Sequence, residues 1–209
     1  MSLRPVVLLV FFFPSSALAE PVVYEIDPVR SELVVQLFKA GVGSPLAHDH
    51  VVRATDYAGR IQGDPTVPTA ASISVEVKTA SLRADEPTVR QEYGLPALPS
   101  EKDRADIQRA MESTSQLDVA RYPTMRFRST GIAKRAEDQF VVTGDLTIRD
   151  VVRPVTFPVA VERRDDAVHG SGSLRFRRSS FGYEPYSAYL GAVRNQDEVV
   201  LHFDVVARH

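Results

Sequence analysis

Hydrophobic and polar side chains alternate along residues 140–149 and again along residues 155–161. In both runs the large apolar side chains fall on one face of an extended chain, which is the period of a β-strand. Asp150, Arg153 and Pro154 are turn-forming residues between the two runs. The pattern predicts an antiparallel hairpin whose apolar face must be covered by a second sheet or by closure into a barrel.

The same alternation predicts further strands on both sides of this hairpin. They are expected at residues 22–26, 32–38, 57–61, 72–78, 124–129, 170–177 and 198–207. Because helices separate few of these strands, the sheet should be antiparallel. The chain is therefore predicted to be an all-β protein with eight or more strands.

One helix is predicted inside this strand pattern. Residues 83–98 are rich in proline and are expected to form a long loop across one end of the sheet. Ser100 is a suitable N-cap, and Ile107, Ala110 and Met111 then follow at helical spacing. The charged residues of this helix are interpreted as its solvated face rather than as an acid–base cluster.

The first nineteen residues have the pattern of a cleaved secretory signal. Arg4 precedes an apolar run at 6–13, and small residues at 17 and 19 supply a cleavage site before Glu20. A membrane anchor is the alternative, but it needs about 20 apolar residues, so stable membrane insertion is not expected. We predict a periplasmic or secreted protein in which residues 20–209 form one folded domain.

Composition narrows the function further. The chain of 209 residues has a formal charge of -2, so it lacks the basic footprint of a nucleic-acid-binding protein. It contains no cysteine, which excludes disulfides and a thiol nucleophile, so the stability of the fold must come from packing. No cofactor is expected.

A pair of histidines is the strongest candidate for metal chemistry. His48 and His50 would share one face of a strand, with Asp49 on the other, and could supply two ligands to zinc or copper. His169, His202 or a carboxylate would have to complete such a site. We favour the alternative that the two histidines satisfy backbone groups where a glycine-rich segment enters a strand, and metal binding is kept as an alternative function.

Five short segments follow one another in a fixed order along the chain: Tyr24-x-Ile26-Asp27-x-x-x-Ser31, Val75-x-Val77, Tyr122-Pro123-x-x-x-Phe127-x-Ser129-Thr130, Gly144-x-Leu146-Thr147-Ile148 and Ser179-x-Phe181-Gly182. Taken together, they resemble the YceI family of periplasmic, lipocalin-like proteins. The resemblance implies an eight-stranded antiparallel lipocalin-like barrel with one inserted helix. It also implies an apolar interior, which in characterised relatives holds a long isoprenoid chain or a similar amphiphile.

The chain departs from the family pattern near the expected mouth of the barrel. Asp150 stands where the family usually has glycine, and residues 116–118 replace an aromatic pair of the helical insertion. Residues 83–98 form a longer loop than usual. The loop and helix are expected to form the mouth, so the identity of the ligand stays open.

Eight apolar residues on the predicted interior faces are the candidate ligand-binding residues. They are Val75, Val77, Phe127, Phe140, Val142, Phe157, Phe176 and Phe203. An eight-stranded barrel can fill its interior with side chains or hold one small ligand, and the same residues would serve either outcome. We expect about half of them to pack the closed end and half to line a cavity. The predicted partner is an isoprenoid, isoprenoid quinone or fatty acyl amphiphile.

Other functions compete with lipid binding. A hydrolase is disfavoured because the chain lacks a G-x-S-x-G elbow, and we predict that the protein is not an enzyme. A stress-related module that binds a partner without a ligand stays an alternative, and the oligomeric state is open, a homodimer included. Alternation directs Arg175 and Arg177 outward, so these residues and Arg178 are predicted to form a basic edge rather than a head-group clamp.

Overall fold

A computed structural model describes residues 21–43, 47–98, 100–164, 166–188 and 193–209, so the predicted signal lies outside the described residues. Within these ranges the chain forms twelve β-strands and two α-helices. In chain order they are β1 Val22–Ile26, β2 Glu32–Ala40, β3 His50–Ala54, β4 Tyr57–Gly63, β5 Ser72–Lys78, β6 Leu82–Ala84, α1 Pro87–Glu92, α2 Glu101–Glu112, β7 Thr124–Ala136, β8 Gln139–Ile148, β9 Val151–Arg164, β10 Ala167–Arg177, β11 Ser187–Ala188 and β12 Val193–Arg208.

Eight of these strands close into a barrel. The hydrogen-bonded order is β1-β4-β5-β7-β8-β9-β10-β12, and β12 pairs with β1 to complete the ring. Every pairing in the ring is antiparallel. The predicted eight-stranded antiparallel barrel is confirmed.

Part of the barrel wall is built from interrupted strands. Near its end β12 pairs with β1, and along most of its length it pairs with β2, so β1 and β2 occupy one position in the wall. Strands β3 and β4 share one position in the same way, and strands β5 and β6 share another. Strand β6 consequently lies at the end of its branch of the sheet.

Helix α2 covers the free edge of β6. The Gln108 side chain accepts a hydrogen bond from Ala84 N at 2.8 Å and donates one to Leu82 O at 2.9 Å. The amide therefore replaces the neighbouring strand that β6 lacks. Ser100 accepts from Asp103 N and caps the helix, as predicted.

The second helix corrects the prediction of an uninterrupted loop at 83–98. Pro87 begins α1, because proline is tolerated in the first helical turn, where its missing N–H has no intrahelical partner. Val89 then packs with Val34 and Val51 in a small cluster between α1 and the outer face of β2 and β3. Proline content alone therefore misled the prediction.

Strands β9 and β10 are paired along only part of their length. Residues 159–164 of β9 pair with residues 167–172 of β10, whereas the start of β9, residues 151–158, is not paired with β10. Val161 N donates to Asp138 O on the β8 side, so the N–H groups of the odd residues of β9 point toward β8. Those of the even residues therefore point toward β10. Pro154 and Pro158 lack the N–H that would continue this ladder.

The β8–β9 turn is a two-residue connection formed by Arg149 and Asp150. Their φ values are 52° and 60°, as a type I′ turn requires. Arg153 and Pro154, predicted as turn residues, lie inside β9 instead. The hairpin is therefore tighter than predicted.

Asp150→Gly should stabilise the protein slightly, and Asp150→Ala should destabilise it. Glycine adopts a left-handed conformation without the steric penalty of a Cβ. This gain exceeds the entropy cost of glycine by a few tenths up to about 1 kcal/mol. Alanine carries the Cβ and loses the local hydrogen bonding that helps aspartate tolerate this region. Urea midpoints of the three proteins test this order, and an Ala variant more stable than the Gly variant would contradict it.

Candidate functional site

The barrel interior contains a cavity of about 540 Å³. Side chains from all eight strands of the ring contribute to its wall. Among the described residues its polar lining is limited to Tyr24, Asp64, Arg126 and Arg163, and the rest of the wall is apolar or glycine. A wall of this kind suits hydrocarbon and offers few partners to a polar group.

All eight predicted ligand-binding residues lie on this cavity. They are Val75, Val77, Phe127, Phe140, Val142, Phe157, Phe176 and Phe203. We expected only half of them to do so, but even Val142, which is 2% exposed, contributes to the wall. The structure thus brings the predicted set together around one space, and their role in binding stays a prediction.

Two aromatic rings of the cavity wall pack over glycines of neighbouring strands. The Phe157 ring lies 5.4 Å from each of the rings of Phe127 and Phe203, measured between centroids. A Cβ at Gly144 would lie 2.5 Å from the Phe127 ring, and one at Gly172 would lie 2.7 Å from the Phe203 ring. The rings of Phe127 and Phe203, on either side of Phe157, therefore each cover a glycine of a neighbouring strand and line the wall.

One end of the barrel is closed by packed side chains. Phe176 contacts Phe181 edge to face, with ring centroids 5.6 Å apart. Phe181 is almost fully buried and joins Leu117, Ile148 and Tyr183 in the main core cluster. Burial raises the pKa of Tyr183 to about 12, so its phenol stays neutral at physiological pH.

The other end of the barrel forms the mouth. The lining continues onto the β4–β5 connection and the last residues of β9, where Pro65 and Arg163 are exposed. Nη1 of Arg163 donates to the carbonyl oxygen of Pro65 at 2.6 Å and so links the end of β9 to the β4–β5 connection. The helix and the 83–98 loop, expected at the mouth, supply none of the described lining residues.

The two histidines do not share a strand face. Strand β3 begins at His50, and His48 lies before it and is exposed. Nδ1 of His50 lies 2.6 Å from a carboxylate oxygen of Asp85. Within the described ranges, the side chains of histidine and acidic residues form no cluster of three that could hold a metal ion.

Asp85 is the centre of a buried polar network that sequence reasoning missed. It is 1% exposed, and its carboxylate also accepts from Val51 N at 3.2 Å and from Nη1 of Arg90 at 2.5 Å. Arg90 in turn donates to the carbonyl oxygens of Asp49 and Pro96. The network ties β3, α1 and the loop after α1 together.

The pKa of Asp85 reflects two opposing influences. Burial alone would raise it, because a carboxylate loses its hydration. The hydrogen bond and charge of His50, the N–H of Val51 and the guanidinium of Arg90 outweigh this cost and hold the pKa below its ordinary value. Asp85 therefore stays ionised.

The predicted basic edge is correct for two of its three arginines. Arg175 and Arg177 are exposed, and Arg175 pairs with Glu198 at 3.2 Å. Arg178 is 4% exposed and donates to Gln196 O, so it belongs to the closed end of the barrel. Burial lowers the pKa of Arg178.

Comparison with protein families identifies one domain. The family described as "YceI-like domain" matches residues 24–207 of this chain. No helix in the described part of the chain has the length and apolar character needed to cross a membrane.

Curated relatives match part of the chain. A UPF0312 protein of Pseudomonas putida is 35% identical over 102 residues, which cover 49% of this chain and 44% of that protein. A UPF0312 protein of Pseudomonas syringae pv. tomato is 34% identical over 100 residues, which cover 48% of this chain and 43% of that protein. The chain therefore spans less than half the length of these relatives.

Solved structures share the fold. BcnA of Burkholderia cenocepacia is 20% identical, with a TM-score of 0.63, and the match covers 87% of this chain and 98% of that chain. A YCEI protein of Campylobacter jejuni is 17% identical, with a TM-score of 0.56, and the match covers 76% of this chain and 84% of that chain.

Proposed function

This chain belongs to the YceI-like family, and we propose that it is a periplasmic or secreted binding protein that holds one long apolar amphiphile in its barrel. The observation that carries this proposal is the apolar cavity of about 540 Å³ inside the closed ring of strands. Ligand pockets commonly fall in the range of about 300 to 1,000 Å³.

The cavity suits one long hydrocarbon chain of the fatty acyl or isoprenoid type, because its wall is apolar and its volume of about 540 Å³ lies within the range of ligand pockets. Each buried methylene contributes about 0.8 kcal/mol, so such a chain supplies ample driving force.

The proposed location rests on the first nineteen residues. They combine a positive residue, a short apolar run and a small-x-small site, as secretory signals do. The absence of cysteine is compatible with an oxidising compartment. Amino-terminal sequencing of the protein from its native host should find Glu20, and an intact Met1 in the membrane fraction would contradict this location.

Filling the cavity should weaken ligand binding without unfolding the barrel. Val142 faces the cavity, whereas Val141 precedes it on β8 and faces outward. Val142→Trp should weaken binding of a fatty acyl or isoprenoid quinone probe at least about tenfold, equivalent to about 1.4 kcal/mol. Val141→Trp is the matched control and should leave affinity unchanged.

Two measurements decide between a cavity and a filled core. Organic extraction and mass spectrometry of protein from the native host should release about one amphiphile per chain. Val142→Trp should cost less than the roughly 1 to 3 kcal/mol typical of overpacking a filled core, because the indole can extend into the cavity that Val142 lines. A wild type that takes up no amphiphile, together with a severely destabilised Val142→Trp, would contradict the proposal.

A further inference from the structure

Among the described residues, the polar side chains of the cavity wall lie toward its open end or face away from it. Asp64 and Arg163 lie at the open end, Tyr24 lies on β1 toward the same end, and Arg126 is exposed and pairs with Glu76 at 2.8 Å. The closed end is filled by the Phe181 cluster. Burying an unpaired polar group in such surroundings costs about 1 to 3 kcal/mol by mutational measures, so the head group of an amphiphile should stay at the mouth.

Arg163 is a cation that the fold brings to this mouth. It follows Val161 by two positions on β9 and so continues the inward face that lines the cavity. Its Nη1 donates to Pro65 O at 2.6 Å, an uncharged acceptor. Arg164, the next residue, points outward and pairs with Glu162 at 2.9 Å.

The Pro65 contact holds the guanidinium over the entrance. A carboxylate can accept two parallel hydrogen bonds from a guanidinium, and such charge-assisted bonds are about twice as strong as neutral ones. An incoming carboxylate therefore competes well with the single carbonyl of Pro65. An uncharged hydroxyl or quinone oxygen has no comparable advantage.

Asp64 also lies at this mouth, but its carboxylate is already engaged. It accepts from the backbone N–H of Thr66 at 2.7 Å and from its hydroxyl at 2.6 Å. These bonds lower the pKa of Asp64, so it stays ionised. A negative head group is thus directed away from Asp64 and toward Arg163.

We infer that the ligand is a single-chain carboxylic acid whose carboxylate pairs with Arg163 at the mouth while its chain fills the apolar cavity. This inference rests on the proposed function and narrows it to fatty acids, in preference to neutral isoprenoids. Arg163 then determines head-group specificity and contributes little to the binding of the chain.

Two probes with the same chain test the inference. Binding of palmitate and of hexadecanol is measured at mildly alkaline pH, where the acid is ionised, for the wild type, Arg163→Gln and Arg164→Gln. The last two variants have the same net charge and change neighbouring residues. Arg163→Gln should weaken palmitate binding by about tenfold, the size of one charge-assisted contact, and leave hexadecanol binding within about twofold. Arg164→Gln should leave both affinities unchanged.

The alternative results separate this inference from the proposed function. If the wild type binds both probes and Arg163→Gln weakens them equally or not at all, the head-group role is wrong and the amphiphile-binding function stands. If Arg164→Gln reproduces the effect, general charge rather than Arg163 attracts the acid, which also overturns the inference. If the wild type binds neither probe, the inference is wrong, and extraction of the protein from its native host then decides whether the amphiphile-binding function also fails. Melting temperatures of both variants should match the wild type, because both side chains are exposed.

Discussion

Asp85→Ala should lower the free energy of unfolding by about 3 to 5 kcal/mol, the usual cost of removing one partner from a buried ion pair. The substitution leaves the guanidinium of Arg90, which is 2% exposed, without its carboxylate. It also removes the acceptors of His50 and Val51 N. Chemical denaturation of the variant, followed by far-ultraviolet circular dichroism, measures the loss.

The same residue should contribute to the acid sensitivity of the fold. The pKa of Asp85 in the folded protein lies below its ordinary value of 3.8. A carboxyl group with a lowered folded pKa stabilises the protein above the unfolded pKa, and that contribution disappears as the pH falls through the folded pKa. The stability difference between wild type and Asp85→Ala should therefore shrink progressively below about pH 4.

An exposed ion pair supplies the control. Glu101 pairs with Arg104 on the surface of α2 at 2.7 Å. Surface pairs of this kind contribute about 0 to 1 kcal/mol, so Glu101→Ala should change stability little. A loss from Asp85→Ala no larger than that from Glu101→Ala would show that the network around Asp85 does not stabilise the protein.

Strand alternation explains why the barrel could be predicted from the sequence. Interior positions recur at every second residue, so Phe140 and Val142 on β8 and Phe157 on β9 could be assigned to one face before any contact was known. The helix was equally accessible, because Ser100 and Ile107 carry local capping and periodicity signals.

Contacts between distant residues could not be predicted in this way. His50 and Asp85 are 35 residues apart, and Pro65 and Arg163 are 98 apart, and no local period relates the members of either pair. Both interpretations of His50, the favoured contact with backbone groups and the alternative of metal binding, missed Asp85 for this reason. One signal in the sequence was usable. Arg163 continues the odd-numbered positions of β9 that face the interior, and a charged residue on that face at the end of a strand indicates the open end of the barrel.

The glycines of the barrel interior have different roles that only packing reveals. Gly170 and Gly172 both lie on the inward face of β10. A Cβ at Gly172 would lie 2.5 Å from the carbonyl oxygen of Pro158 and 2.7 Å from the ring of Phe203. A Cβ at Gly170 would meet only the Val159 side chain, at 3.6 Å, which is ordinary contact.

Gly172→Ala should therefore destabilise the barrel by about 1 to 3 kcal/mol, as overpacking does. Gly170→Ala should be neutral or stabilising by up to about 1 kcal/mol, because glycine weakens a strand relative to alanine. Relief of the clash at Gly172 requires β9 and β10 to separate further or the Phe203 ring to tilt into the cavity, so amphiphile affinity should fall as well. Urea denaturation and binding of a fatty acyl probe to the two variants measure both effects. Equal stability and equal affinity of Gly170→Ala and Gly172→Ala would contradict this prediction. In that case the ring of Phe203 does not depend on Gly172 for its place on the wall, and other residues keep the cavity open.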